Sequence, residues 1–239
     1  MEEKDVALIT IVHDPAGVLI EPLKEAAAAI SKYFKYKYIA VSELTSKALI
    51  ELLKAYHFEV FIVEKKGAAE ARRSILRHMR PFYHAYYHYC DLDRLITWMT
   101  MYPEEITEVQ GELMKYSYLI LGRTEAAFES HPASWKETES ITNQIFSMKF
   151  GRYADICAGS CAMNREMLLQ LSEASKSRMT DAEWPLIVQK SCGLAEVGYM
   201  EADGLMYLEL NKSSIHGELE EWYARVKLLY YISESIMEH

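Results

Sequence analysis

The opening third of the chain alternates short β-branched apolar runs with stretches at helical spacing. No other feature constrains the fold as much. Residues 6–12 (VALITIV) have the length and composition of a strand buried on both faces. His13-Asp14-Pro15-Ala16-Gly17 breaks that run. Residues 19–34 are alanine-rich, with apolar residues at helical spacing, and predict a helix. Residues 38–41 predict a second strand. Ser46 predicts the N-cap of a helix reaching about residue 57. Residues 60–63 (VFIV) predict a third strand, 64–67 a turn, and 68–79 a helix. Three βα units in a row predict an α/β fold with a doubly wound, mostly parallel central sheet flanked by helices. Such sheets bind ligands at the carboxyl ends of their strands. His13-Asp14, Glu64-Lys65-Lys66-Gly67 and Asp91-Asp93 all fall at that edge.

The run 82–90 (FYHAYYHYC) reads as the fourth strand, and Asp91-Leu92-Asp93 follows it. Residues 95–101 continue apolar. Pro103-Glu104-Glu105 opens a helix to about residue 115. A strand is expected over 116–121, a helix over 134–148, a small-residue stretch over 154–163 and a helix over 165–174. A further helix spans 181–192, with Pro185 tolerated in its first turn. Late strands are expected over 194–202 and 206–208. A last helix over 216–237 carries Trp222, Val226, Leu229 and Ile232 at core spacing. Without repeats, low-complexity segments or linkers, the chain reads as a single domain over 1–239. Residues 1–93 are expected to form its first half, and 94–239 the second half with the C-terminal helix.

Composition narrows the function. Lys and Arg number 26 against 35 Asp and Glu, a net charge of -9 without a long basic block. Phosphate-backbone binding needs clustered cations, so no nucleic-acid partner is expected. An acidic protein that binds an anionic nucleotide must supply positive charge locally, and a metal ion does so. Cys90, Cys157, Cys161 and Cys192 form no CxxC pair. That usage suits a reduced compartment. The acidic opening Met1-Glu2-Glu3-Lys4-Asp5 is unlike a signal peptide. No run approaches the roughly 18 apolar residues of a membrane span. A cytoplasmic protein with no transmembrane segment is expected.

Asp91 and Asp93 are the first chemical candidates. Mg²⁺ and Mn²⁺ prefer carboxylate oxygens, and Mg²⁺ binds one or two of them with phosphates and water. Alternate residues on a strand share a face, which would aim both carboxylates at one cation. The tripeptide alone reads equally well as a solvated turn or a helix N-cap. Gly67 permits a tight turn into a helix whose N-terminus favours an anion, with Arg72 and Arg73 one turn further in. Thr180 and Glu183 have the spacing of a capping box. That leaves Asp181 to act as a base or to orient an acceptor hydroxyl. His84 and His88 are four apart, but without the glutamate of a zinc-protease helix they read as strand and core.

The order of these segments resembles the GT-A glycosyltransferases, near family two. Four stretches carry the resemblance: Gly67-Ala68-Ala69-Glu70-Ala71-Arg72-Arg73, Cys90-Asp91-Leu92-Asp93, Gly159-Ser160-Cys161-Ala162-Met163-Asn164-Arg165-Glu166, and Thr180-Asp181-Ala182-Glu183. The resemblance implies a metal-dependent glycosyltransferase acting on a nucleotide-diphosphate-sugar donor and an unnamed acceptor. It implies that Asp91 and Asp93 hold Mn²⁺ or Mg²⁺ and that Arg72 lies near the nucleotide or diphosphate. Gly159 and Ser160 would lie close to the donor sugar, and Asp181 or Glu183 near the acceptor. Glu43 and Asp14 match the family's nucleotide-binding positions loosely, and Gly67 opens the matched segment. A late histidine joins the metal in some retaining members, and His216 stands in that place. Inversion and retention both stay open.

Two other readings compete. A nucleotidyltransferase would carry a Gly-rich loop after the first strand, where this chain has one glycine, Gly17. A catalytically degenerate binding or assembly protein would keep the shell and lose the chemistry. The aromatic-rich last helix suits a homodimer contact.

Overall fold

The computed structural model describes residues 6–211 and 217–239. One seven-stranded sheet organises the chain. Its strands are β1 (Val6–Val12), β2 (Lys37–Ser42), β3 (Glu59–Val63), β4 (Tyr86–Cys90), β5 (Tyr118–Arg123), β6 (Ser160–Asn164) and β7 (Val197–Ala202). They lie in the order β3-β2-β1-β4-β6-β5-β7. All neighbours pair in parallel except β6, which runs antiparallel between β4 and β5. Among the described residues the α-helices are α1 (Ile20–Tyr33), α2 (Lys47–Ala55), α3 (Ala68–Met79), α4 (Leu92–Met101), α5 (Glu105–Leu113), α6 (Glu125–Glu129), α7 (Ala133–Phe150), α8 (Arg165–Ala174), α9 (Thr180–Cys192) and α10 (Glu218–Met237).

The β-branched first strand has a physical reason. Successive side chains of a strand point to opposite faces. Ala7 and Ile9 enter one core with Ile75 and Leu76 of α3, Phe146 of α7, Leu168 of α8 and Trp184 of α9. Val6 and Leu8 enter the other, with Leu23 of α1, Leu49 of α2, Leu95 of α4 and Val109 of α5. Both faces are covered, so no polar alternation is needed. The chain builds β1, β2 and β3 to one side, then places β4 on the other side of β1. This leaves a crevice at the carboxyl ends of β1 and β4, the switch point where open α/β sheets take their ligands.

Several expectations need correction. The aromatic run contributes a strand only from Tyr86. Before it, the chain turns around Tyr87, whose hydroxyl donates to Phe82 O (2.9 Å) and accepts from His84 N (3.2 Å). Residues 206–208 form no strand. The Glu105 carboxylate accepts from Asp203 N and Gly204 N, both at 2.9 Å, and turns the chain there. Gly204 lies so close to Trp98 that an added Cβ would stand 1.8 Å from its ring. Ser46 occupies the N-cap position of α2 without a side-chain cap bond. The short helix α6 was not anticipated from sequence; Thr124 caps it by accepting from Ala127 N at 3.2 Å. In α10 the buried residues are Ile232, Ser235 and Ile236, while Val226 is 52% exposed. Of the residues expected at core spacing, Ile232 is buried and Trp222 and Leu229 are half-buried, so only Val226 turns outward. Leu219, Tyr223, Val226 and Tyr230 are exposed along α10, where the expected homodimer contact falls. No helix among the described residues is long and apolar enough to cross a membrane.

His84 and His88 both pack into the interior. His84 Nε2 bonds to the Tyr38 hydroxyl at 2.8 Å. His88 is fully buried on β4, edge-on to Phe34 and Trp98, with Nε2 at 3.2 Å from Ser160 Oγ. Burial drives its pKa down from 6.5 to about 3. His131, beside α6, falls to about 3 as well, through burial and then the nearby Arg123 and Arg94 charges. The unfolded chain takes up protons at these two rings below about pH 6.5, whereas the folded chain does so only near pH 3. Stability therefore falls as pH drops through that window, by roughly 1.4 kcal/mol per pH unit for each ring. Urea unfolding between pH 6 and pH 4 is expected to show a shallower pH slope, by about that amount, in His88→Leu. An unchanged slope would contradict the assignment of His88 as a buried neutral ring.

Candidate functional site

The crevice is built from the ends of four elements. β4 finishes at Cys90, and α4 begins at once with Leu92. Asp91 is thus the N-cap residue of α4, and Asp93 sits in its first turn. The expectation that both aspartates share a strand face is corrected. Leu92, Leu95, Ile96 and Met99 form a helical apolar stripe, and burying it winds the chain one residue after the strand. The two carboxylates consequently take different partners.

Asp91 joins a buried network centred on Arg72 of α3. Arg72 Nη2 donates to Asp91 Oδ2 at 2.7 Å, and Nη1 donates to Asp181 Oδ2 at 2.6 Å. Nη1 also donates to Thr180 Oγ1 (3.2 Å), and Nε donates to the Tyr89 hydroxyl (2.9 Å). The Tyr89 hydroxyl in turn donates to Asp91 Oδ1. One guanidinium therefore connects α3, β4, the start of α4 and the start of α9. Burial alone would lower the Arg72 pKa, but Asp181 and Asp91 raise it well above its ordinary value, so it stays charged. Burial, with the Asp91 carboxylate beside it, also raises the Tyr89 phenol well above its usual range, so it remains a donor.

Gly159 precedes β6 and adopts φ +73°, a conformation that favours glycine. A Cβ there would lie 2.9 Å from Asp91 Oδ2, so the missing side chain leaves the carboxylate room. Ser160 Oγ donates to Tyr89 O at 2.9 Å. Arg72, Tyr89, Gly159, Ser160, Thr180, Asp181 and Trp184 line one narrow cleft. Asp93 leans the other way. Its Oδ2 accepts from Asn211 Nδ2 at 3.0 Å, and Asn211 Oδ1 accepts from Thr97 Oγ1 and Leu208 N.

Other sequence candidates are placed elsewhere. Asp14 is 4% exposed and closes the turn before α1, accepting from Val18 N (3.0 Å) and Leu19 N (2.9 Å). Glu183 makes no capping box with Thr180. It is 1% exposed, and its carboxylate accepts from Ser175 Oγ, Lys176 N and Ser177 N, which shapes the turn before α9. It does not line the cleft. Glu43 is exposed just past β2, with its N–H bonded to Val63 O. Gly67 is the N-cap residue of α3 at φ +94°, with open space around it. His216 lies outside the described residues. Sequence reasoning missed Tyr89, Thr180 as an Arg72 partner, and Asn211. Tyr89 stands two residues before Asp91, the period of a strand face, so that signal was present.

The donor chemistry fits a hard divalent cation. Asp91 and Asp93 offer carboxylate oxygens within one turn, and the bare Gly159 backbone leaves space beside Asp91. Among the described residues no three His, Cys, Asp or Glu side chains cluster closely enough to hold a metal by themselves. Phosphate and water would therefore complete the shell, as Mg²⁺ sites commonly require.

Solved structures share this architecture. Glucosyl-3-phosphoglycerate synthase from Mycobacterium tuberculosis, in complex with Mn²⁺, UDP-glucose and phosphoglyceric acid, matches with a TM-score of 0.66 at 11% identity. The match covers 98% of this chain and 80% of that one. The same synthase with Mg²⁺ and UDP gives a TM-score of 0.63 at 12% identity, covering 98% and 79%. A further mycobacterial protein gives 0.61 at 11% identity, covering 95% and 73%. No family model and no curated protein matches the sequence. The chain has the GT-A fold.

Within the GT-A fold the Arg72 network sits at the sheet's switch point. Arg72, Asp91 and Asp181 have side-chain exposures of 9%, 24% and 10%. Breaking a buried ion pair from one side leaves an uncompensated charge and costs about 3–5 kcal/mol. Arg72→Met is expected to lower stability by about 3 kcal/mol in urea unfolding, and adding Asp181→Asn to recover part of the loss. A destabilisation below about 1 kcal/mol would contradict a central role for this guanidinium.

Proposed function

We propose that the protein is a metal-dependent glycosyltransferase that moves a sugar from a nucleotide-diphosphate-sugar donor to an acceptor hydroxyl. The observation that carries this reading is the convergence of Asp91 and Asp181 on Arg72, which with Asp181 lines one cleft beside the carboxyl end of β4 in a GT-A sheet. Ligands named for the structural neighbours support it: Mn²⁺ with UDP-glucose, and Mg²⁺ with UDP. In this reading residues 1–93 supply the nucleotide half and 94–239 the acceptor half.

The transfer breaks the bond between the sugar's anomeric carbon and the diphosphate. It forms a bond from that carbon to the acceptor oxygen, which gives up its proton. Asp91 and Asp93 are the residues that hold Mn²⁺ or Mg²⁺. When bound, the cation neutralises charge on the departing diphosphate. Arg72 contributes a second positive charge that is fixed before substrate arrives, and a preorganised charge costs no reorganisation during the reaction. Tyr89 holds Asp91 in orientation through its hydroxyl. Gly159 and Ser160 form the wall beside the donor sugar. Asp181 keeps Oδ2 on Arg72 and turns its other oxygen to the acceptor hydroxyl, as base or orienting group.

One observation favours the degenerate binding-protein reading: Arg72 and Tyr89 already engage both oxygens of Asp91. A cation must share or displace them. Calorimetry with UDP, UDP-glucose and Mn²⁺ separates the readings. Metal-dependent binding is expected in the native protein and is expected to fall at least about tenfold, or 1.4 kcal/mol, in Asp91→Ala plus Asp93→Ala. Undiminished binding in that variant would sink the metal assignment. Metal-dependent binding without sugar release, even with acceptors supplied, would favour the binding protein. Pyrophosphate release from a nucleoside triphosphate would favour a nucleotidyltransferase.

A further inference from the structure

The last helix carries an apolar face that the transfer argued above does not use. Its other face fixes it to the domain. Arg225 Nη1 donates to Glu139 Oε1 of α7 at 3.2 Å, and its guanidinium stands over the Trp135 ring. Glu221 accepts from Ser134 Oγ (2.9 Å) and Trp135 Nε1 (3.0 Å). Ser235 Oγ accepts from Met179 N at 3.1 Å, between the buried Ile232 and Ile236. These bonds hold α10 in one orientation. Its outward stripe is Leu219, Tyr223, Val226 and Tyr230, each more than half exposed among the described residues. A contiguous exposed apolar stripe marks an interaction surface.

Spacing and charge together identify what covers the stripe. Leu219, Tyr223, Val226 and Tyr230 recur at steps of four, three and four, the seam of paired helices. That series reads the same in both directions, so a second copy running antiparallel about a two-fold axis matches it. Leu219 then meets Tyr230 of the second copy, and Tyr223 meets Val226 of the second copy. Two exposed charges one heptad apart, Glu220 and Lys227, flank the seam on one side. The same register sets Lys227 of each copy beside Glu220 of the other. A slide of one heptad would put Ser233 against Tyr223 and Lys227 against Lys227. A slide of two would put Ser233 against Tyr230, whose hydroxyl is already bonded to Glu234 at 3.0 Å. A parallel pair would set Lys227 beside Trp222 and match no charge. An anionic lipid surface is opposed by Glu218, Glu220 and Glu221 in the first turn.

We propose that the outward face of α10 binds a second copy of this chain, the two helices running antiparallel about a two-fold axis between Ala224 and Arg225. Leu219, Tyr223, Val226 and Tyr230 of each copy form the apolar seam. Reciprocal Lys227–Glu220 pairs set its register. The interface is built from α10 alone and does not depend on the glycosyltransferase reading.

Analytical ultracentrifugation of the full chain at low salt tests the pairing, in the native protein, Val226→Glu, Lys227→Glu, and Lys227→Glu plus Glu220→Lys. All three positions are exposed, and circular dichroism checks that the variants fold. The native protein is expected to be a dimer at about 100 µM, the regime of a micromolar dissociation constant. Val226→Glu is expected to weaken it at least about tenfold, because the two-fold axis places the buried carboxylate in the seam twice. Lys227→Glu is expected to weaken it about tenfold, since attraction becomes repulsion at two symmetric places. The charge swap at both positions is expected to return the constant to within about twofold of the native value. A native monomer overturns the proposal, including one that sediments with phosphatidylcholine vesicles, which would assign the stripe to a lipid surface. A dimer undisturbed by Val226→Glu overturns it, and so does a double swap no tighter than Lys227→Glu.

Discussion

Arg72 is the interaction on which the rest of the site depends. Its guanidinium is buried, and each edge is committed: one nitrogen to Asp91, one to Asp181 and Thr180, one to Tyr89. Without it two carboxylates would face each other with no positive charge between them. With it, both are bonded to one cation and held in fixed places. A lysine offers a point charge and no planar fork, so it cannot hold the same four partners in the same geometry. The same residue ties α3 and α9 to the sheet, so site geometry and tertiary packing share one set of bonds.

That arrangement also explains why the two aspartates are not a symmetric pair. Asp91 is drawn inward by Arg72 and Tyr89, while Asp93 is held outward by Asn211. A cation that binds Asp91 meets Arg72 there. Any release of Arg72 from Asp91 leaves its charge nearer Asp181. The starts of α4 and α9 are thereby linked through one side chain.

Much of the fold was legible in the sequence because β1 and β2 are largely buried on both faces. VALITIV carries no polar alternation, VFIV forms an apolar edge strand with Ile62 outward, and the helices between them show clear periodicity. The ends of α3 and α8 match their expected bounds for that reason. Less was legible where tertiary contacts decide. Tyr87 shortens the fourth strand through two hydrogen bonds, and Glu105 turns residues 203–204 away from strand geometry. The cleft was half legible. Arg72, Asp91 and Asp181 were picked out by order along the chain, but their mutual bonds span up to 109 residues, and no local pattern encodes them. Asp14 and Glu183 show the converse: acidic residues at suggestive positions whose carboxylates are taken up by nearby backbone N–H groups.

The central claim is that a divalent cation and a diphosphate meet at Asp91 and Asp93 beside Arg72. Crystals grown with Mn²⁺ and UDP, with anomalous data collected for manganese, address it directly. The account predicts one strong anomalous peak about 2 Å from an oxygen of Asp91 or Asp93 and from the diphosphate, with Arg72 still in contact with Asp181. A diphosphate bound elsewhere, or an anomalous peak away from both aspartates with the Arg72–Asp91 pair intact, would contradict it.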